Sequence, residues 1–236
     1  MSETYTWLVT GSNRGIGLEY VTQLSSNPSN IVIAACRDPS SAKALDALKT
    51  KAKAPLHIIK LDTSDEAAIK AVAPVVEKIV GDKGLDYLLN NAAITEGDDK
   101  AFNFSSSGMI KSLQVNLLGP ALLAQSLLPL IERSKRKAIL NKTSGLASIG
   151  LDFGDKNASY SISKTALNML TYKQARERPD LIVFVLDPGW VKTDMGGPGA
   201  QLEPSEAVRD ILAFAQRATK EDSGKFFNRL GEVVPW

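Results

Sequence analysis

The sequence offers almost no metal or sulfur chemistry. Its 236 residues include one cysteine, Cys36, and one histidine, His57. A disulfide within the chain is therefore excluded, as is a zinc site of the cysteine/histidine kind. A lone thiol fits a reducing compartment. Net charge is only +2, too slight to point to nucleic acid. The one basic cluster, Arg133–Lys137, falls where a helix should end, and cations there answer the carbonyl end of the helix dipole. No apolar run approaches the roughly eighteen residues of a membrane span. The longest, Leu117–Leu130, is broken by Gly119, Pro120, Gln125, Ser126 and Pro129. Met-Ser-Glu-Thr-Tyr leads directly into an apolar stretch, without the basic-then-apolar leader of a secreted chain. We therefore expect a cytoplasmic protein with no nucleic-acid, membrane or metal partner.

What is present is ordinary globular composition, 44% hydrophobic and 23% charged, long enough to bury a core unaided. Short runs of Ile, Val and Leu recur at Thr6–Val9, Ile31–Cys36, Leu56–Leu61, Leu85–Leu89, Ala138–Asn141 and Leu181–Leu186. They show little polar alternation, which is how strands buried on both faces read. Helical spacing or composition fills Ile16–Ser25, Ser41–Lys53, Glu66–Val80, Ser106–Arg133 and Ala158–Glu177. Such alternation implies crossovers and hence one α/β domain, a doubly wound parallel sheet with helices on both faces. Ile94–Phe104 and Gly196–Pro204 read as loops beyond strand ends, where ligands sit in such sheets.

Gly11-Ser-Asn13-Arg14-Gly15-Ile16-Gly17 places a glycine turn between the first strand and first helix. Gly11 permits the tight turn, Gly15 a close approach to a pyrophosphate, and Gly17 tight helix–sheet packing. Free N–H groups and the helix dipole would then hold phosphates. An NAD site wants a carboxylate about twenty residues on, to accept from the ribose 2′-OH. Here that place holds Arg37, and Arg14 is a second cation on the same side. Two guanidinium groups suit a 2′-phosphate, so NADP(H) is preferred. Asp38 keeps NAD(H) open, because an inward turn of its carboxylate would serve a bare ribose.

Tyr160 and Lys164 stand four apart in a helical stretch, hence on one face. A nearby ammonium favours the phenolate and lowers the tyrosine pKa, so the pair suits general acid–base work. Ser144, sixteen residues earlier, ends the fifth strand, where its hydroxyl can stabilise charge developing on a substrate oxygen.

In order and spacing the chain resembles the short-chain dehydrogenase/reductase superfamily along essentially its whole length. The resemblance rests on the glycine turn, Asp62, Asn90-Asn91-Ala92-Ala93, Asn116, Ser144, Tyr160 with Lys164, and Pro188-Gly189. Cys36-Arg37-Asp38-Pro39 and Gly189-Trp-Val-Lys-Thr-Asp-Met-Gly-Gly-Pro198 are most similar to a carbonyl-reductase branch of sniffer-like, C-factor-like and norsolorinic acid ketoreductase-like proteins. It implies a single Rossmann domain, with residues up to about 110 serving the cofactor and the rest catalysis and substrate. By position it implies that Tyr160 protonates a carbonyl oxygen as hydride arrives, with Lys164 lowering the Tyr160 pKa and holding the nicotinamide ribose. Ser144 would polarise the carbonyl, and Asn116 would hold a relay water. Asp62 and Thr63 would meet the adenine, Asn90 and Ala92 would pass under its ribose, and Val191 and Thr193 would bind the carboxamide. The function implied is reduction of a ketone or aldehyde on an apolar small molecule. NAD-dependent oxidation of a secondary alcohol and a dinucleotide-binding signalling protein are the alternatives. A homodimer or homotetramer is open.

Three departures stand out. Ala93 replaces a usual glycine, which would be penalised if the position needs φ > 0. Asp187 precedes Pro188-Gly189 where this branch has histidine or another residue. The Ser144–Tyr160 interval is longer than usual, so Leu146–Asn157 should bulge over the pocket. Ile94, Leu146, Phe153, Trp190 and Met195 are nearby, but we expect them in ordinary packing rather than substrate contact.

Overall fold

The computed structural model describes residues 4–236. Met1–Glu3, the start of the segment read above for a leader, lie outside the described residues. Strands β1 (Tyr5–Thr10), β2 (Asn30–Cys36), β3 (Leu56–Lys60), β4 (Tyr87–Asn90), β5 (Ala138–Lys142), β6 (Ile182–Asp187) and β7 (Phe226–Asn228) form one sheet. Its order is β3-β2-β1-β4-β5-β6-β7, and every neighbouring pair is parallel. The chain reverses its direction of travel between β1 and β4, the crevice where ligands bind in doubly wound sheets.

Both faces are covered, which is why the strands read as continuous apolar runs. Trp7, Val9 and Phe184 pack with Tyr20, Leu24, Ile211 and Phe214 on one face, under α1 (Gly15–Ser25) and α7 (Pro204–Arg217). The alternate residues Leu8, Ile33, Leu88 and Val183 pack with Ile69, Val72, Leu123 and Leu127 on the other, under α3 (Glu66–Val80) and α5 (Gly119–Arg133). The helix α3 starts where Asp65 accepts from the Ala67 and Ala68 N–H groups and runs to Val80, as the spacing predicts.

Four expectations need correction. The predicted helix Ser41–Lys53 is only α2, Lys43–Lys49, preceded by a 3₁₀ turn at Pro39–Ser41. Helix α7 and the three-residue β7 have no counterpart among the predicted elements. The predicted helix Ser106–Arg133 is α4 (Ser106–Leu113) and α5, joined by a π turn at Gln114–Leu118. Pro120 has no N–H to give the carbonyl of Asn116 four residues back, so regular bonding cannot pass through. That same stretch is, by length and mean hydropathy, long and apolar enough to span a membrane, contrary to the expectation. Here it is a core helix, with Leu123, Leu127, Leu130 and Ile131 buried between α3 and the sheet.

Candidate functional site

A cleft of about 1260 Å³ runs along the carboxyl edge of the sheet, walled by the loops that follow β1 to β6. The glycine turn closes one side. Gly11 and Gly15 take φ of 62° and 53°, open to glycine at little cost. A Cβ on Gly17 would overlap the Gly11 carbonyl and crowd Asn91. Asn91 in turn donates to the Thr10 and Gly11 carbonyls at 2.7 and 3.2 Å. The turn is thereby locked to the end of β4, leaving a backbone cradle bordered by Asn13, Arg14 and Ile16.

Arg37 faces the cleft from the end of β2 and makes no ion pair among the described residues. Asp38 does not turn inward. Its carboxylate caps the 3₁₀ turn, accepting from the Ser40 N–H at 3.0 Å and hydroxyl at 2.5 Å. The expected second cation, Arg14, instead pairs at 3.0 Å with Asp194 across the cleft mouth. Both side chains are exposed, so this contact is weak and open to exchange. Asp62 and Thr63 line the far end. Burial opposes ionisation of Asp62, but the Ser64 hydroxyl and N–H hold its pKa below the usual carboxylate value, helped by Arg37.

Asn90 does not reach the cleft. Its buried side chain donates to Asn141 at 2.8 Å, while Asn91, Ala92 and Ala93 form the wall. Ala93 is not among the residues with positive φ, so the replaced glycine leaves no strain. Pro188, Gly189, Val191 and Thr193 line the cleft after β6.

At the other end Tyr160 rises from the first turn of α6 (Ala158–Glu177), with the Ser144 hydroxyl beside it favouring its ionised form, both residues lining the cleft. Lys164 lies one turn below, buried, with Nζ 5.8 Å from the Tyr160 ring centre. Its Nζ donates to the Lys142 carbonyl at 2.8 Å. The charges run against expectation. Burial raises the Tyr160 pKa, the Asp187 charge raises it further, and the Ser144 hydroxyl only partly offsets them. Burial, then repulsion from Lys142, pushes the Lys164 ammonium well below its ordinary value, so it exerts no governing pull on the phenol.

Asn116 sits in the π turn, fully buried. Its amide accepts from the Ile94 N–H and donates to the Ile94 carbonyl and Ser163 hydroxyl, all at 2.9 Å. Both amide N–H groups are thus committed to the protein. It clamps the loop after β4 onto α6.

Several residues escaped the sequence reading. Lys142 brings a second ammonium to the site, bonded to Asn91 Oδ1 at 2.8 Å, with burial lowering its pKa to about 8. A lysine in an otherwise buried strand was the available signal. Asp99, from the loop 94–104, accepts from the Ser159 N–H at 3.1 Å and from its hydroxyl, capping the helix that carries Tyr160. Asn157, the residue at the cap position itself, makes no such bond. Lys100–Asp155 and Lys156–Asp98 ion pairs strap the same loop to the segment before α6. That segment contains Phe153, which lines the cleft together with Ile94, Leu146, Trp190 and Met195. All five therefore form the wall of the site instead of ordinary packing.

The chain matches a family described as short chain dehydrogenase over residues 6–202. Norsolorinic acid ketoreductase of Dothistroma septosporum is 31% identical over 251 residues, covering 100% of this chain and 94% of that protein. NADPH-bound carbonyl reductase from chicken fatty liver superposes with a TM-score of 0.93 at 36% identity, covering 100% of both chains. The carbonyl reductase Sniffer of D. melanogaster superposes with a TM-score of 0.94 at 30% identity, covering 99% of this chain and 100% of that one.

Proposed function

This chain belongs to the short-chain dehydrogenase family of oxidoreductases, and from that premise we propose that it reduces a ketone or aldehyde on an apolar small molecule with NADPH. The observation that carries the proposal is the placing of Tyr160 and Ser144 together at one end of a cleft whose other end is a glycine cradle. The cradle fits a dinucleotide on its own geometry, because a side chain at Gly15 would come within 3.1 Å of Thr193 and close the space between them. Arg37, in no ion pair among the described residues, and Asp38, turned to Ser40, favour a 2′-phosphate over a bare ribose. Similarity to a carbonyl reductase with NADPH bound points the same way.

Bound NADPH supplies a hydride to the carbonyl carbon. On the protein's side, Ser144 donates to the carbonyl oxygen and stabilises the charge that develops there. Tyr160 gives that oxygen its proton, and its raised pKa keeps the hydroxyl protonated and ready to donate at neutral pH. Lys164, underneath and beside Lys142, would hold the nicotinamide ribose. Asn116 keeps the loop after β4 fixed over this floor.

The test follows NADPH consumption over ketones, diketones, quinones and aromatic aldehydes. Tyr160→Phe should lower turnover by about a thousandfold while NADPH affinity stays nearly unchanged. Retained activity in that variant would refute the role of Tyr160.

A further inference from the structure

The reductase reading leaves a carboxylate next to the reacting pair unused. Asp187 ends β6 and lines the cleft beside the reacting pair. One carboxylate oxygen accepts from the Gly189 N–H at 3.2 Å, and the backbone of Gly145 lies close enough to favour the ionised form. A carboxylate has about four acceptor sites, so one bond leaves most of them open. None of the ion pairs within 4 Å among the described residues includes it. The two buried lysines on this edge are engaged elsewhere, Lys142 with Asn91 and Lys164 with the Lys142 carbonyl.

Its immediate neighbour is aromatic. A point one bond out from Gly145 Cα lies 3.0 Å from Phe153 Cε2 and 3.3 Å from Asp187 Oδ2. Ring and carboxylate therefore flank the same spot, and the Phe153 ring remains 59% exposed. Trp190 adds a second ring to this wall, tethered by its N–H to the Gly196 carbonyl at 2.7 Å. A carboxylate with free lone pairs beside an aromatic ring, in a partly buried cleft, is one way proteins recognise an ammonium group.

We propose that Asp187, with Phe153 beside it, forms a subsite for a protonated amine, so that the preferred substrate is a carbonyl compound carrying a cationic amino group a short distance from the reacting carbon. This rests on the reductase reading and names the substrate class of the same site. Burial raises the Asp187 pKa, so the empty subsite resists ionisation and a cation arriving there restores the charge. A neutral apolar ketone would leave the carboxyl group without that partner, a cost that acts as selection.

The test uses two aryl ketones of equal size, 3-(aminomethyl)acetophenone and 3-ethylacetophenone. Reduction is measured as kcat/KM at neutral pH, and binding to the NADP⁺-loaded protein by calorimetry. The parent should favour the ammonium ketone by about tenfold or more in both measurements, the scale of one charge-assisted hydrogen bond. In Asp187→Asn and in Asp187→Ser that preference should fall to near one, NADPH binding serving as the check that each variant is folded. Equal handling of the two ketones by the parent, or a preference that survives both substitutions, overturns the proposal. Preferential binding of the ammonium ketone without reduction of either would uphold the subsite and sink the reductase reading. Reduction of both without preference would do the reverse.

Discussion

Replacing Lys142 by methionine should make the protein more stable and its cofactor site weaker. Burial holds the Lys142 ammonium at a pKa of about 8 against an ordinary 10.5, so the charged form costs the folded state about 3 kcal/mol. Methionine keeps the length of the side chain and removes that cost. It also strips Asn91 Oδ1 of its donor, a loss of about 1 kcal/mol. The net gain at pH 7 is then about 2 kcal/mol, or a rise in Tm of about 4–8 °C for a chain of this size. The sign with pH follows from the direction of the shift. Below pH 8 the lysine is charged in both folded and unfolded states, and the full cost applies. As pH rises from 8 towards 10.5 the folded protein has shed a proton that the unfolded chain still carries, and the cost fades. Thermal unfolding of parent and variant across pH 7–10.5 should therefore show the advantage of methionine shrinking to nothing or reversing. A Tm difference that does not change over this range, or a variant less stable at pH 7, would refute the reasoning. Weaker NADPH binding by the variant, read by calorimetry, should accompany the added stability.

Arg37→Ala should weaken NADPH binding by about tenfold to a hundredfold, the worth of one or two charge-assisted hydrogen bonds, and leave NADH binding little changed; equal losses for both nucleotides would count against a 2′-phosphate contact. Asp99→Ala removes the cap of α6, so Tm should drop by about 2–4 °C and kcat should suffer more than KM, with Asp99→Asn recovering part of both; unaltered kcat would detach the loop from the positioning of Tyr160. Gly17→Ala drives a methyl group into the Gly11 carbonyl and should abolish dinucleotide binding, and a variant that still binds NADPH at parental affinity would show that the turn can relax.

The sheet was legible because its strands are buried on both faces and are therefore nearly pure Ile, Val and Leu. Strand β7 escaped because three residues carry too little pattern, and α7 follows directly on a Gly/Pro segment that reads as loop. Yet Pro204 opens α7 at a favoured position, and Ala207, Val208, Ile211, Leu212 and Ala215 repeat with helical spacing. Most of the site follows from strand ends, since a loop after a parallel strand must emerge at the carboxyl edge. Which member of a pair turns inward is a different matter. Asn90 and Asn91 are chemically identical, and only the partner on the neighbouring strand decides that Asn90 is taken by Asn141. Desolvation is equally hidden: Tyr160 next to Lys164 suggests an acidified phenol, but the depth of both residues reverses the balance. Asp99 was invisible for a third reason, because a cap supplied from sixty residues away leaves no local signature.

The widened turn at Gln114–Leu118 sets a rule for length variation in this molecule. Each residue of an α-helix advances the azimuth by about 100°, and the bulge absorbs one such step between α4 and α5. Deleting Val115 would swing everything upstream by that angle and carry the amide of Asn116 out of register with Ile94 and Ser163, while Pro120 would still interrupt the bonding. A sequence variant one residue shorter between Ser106 and Arg133 should therefore be sought among the inactive ones.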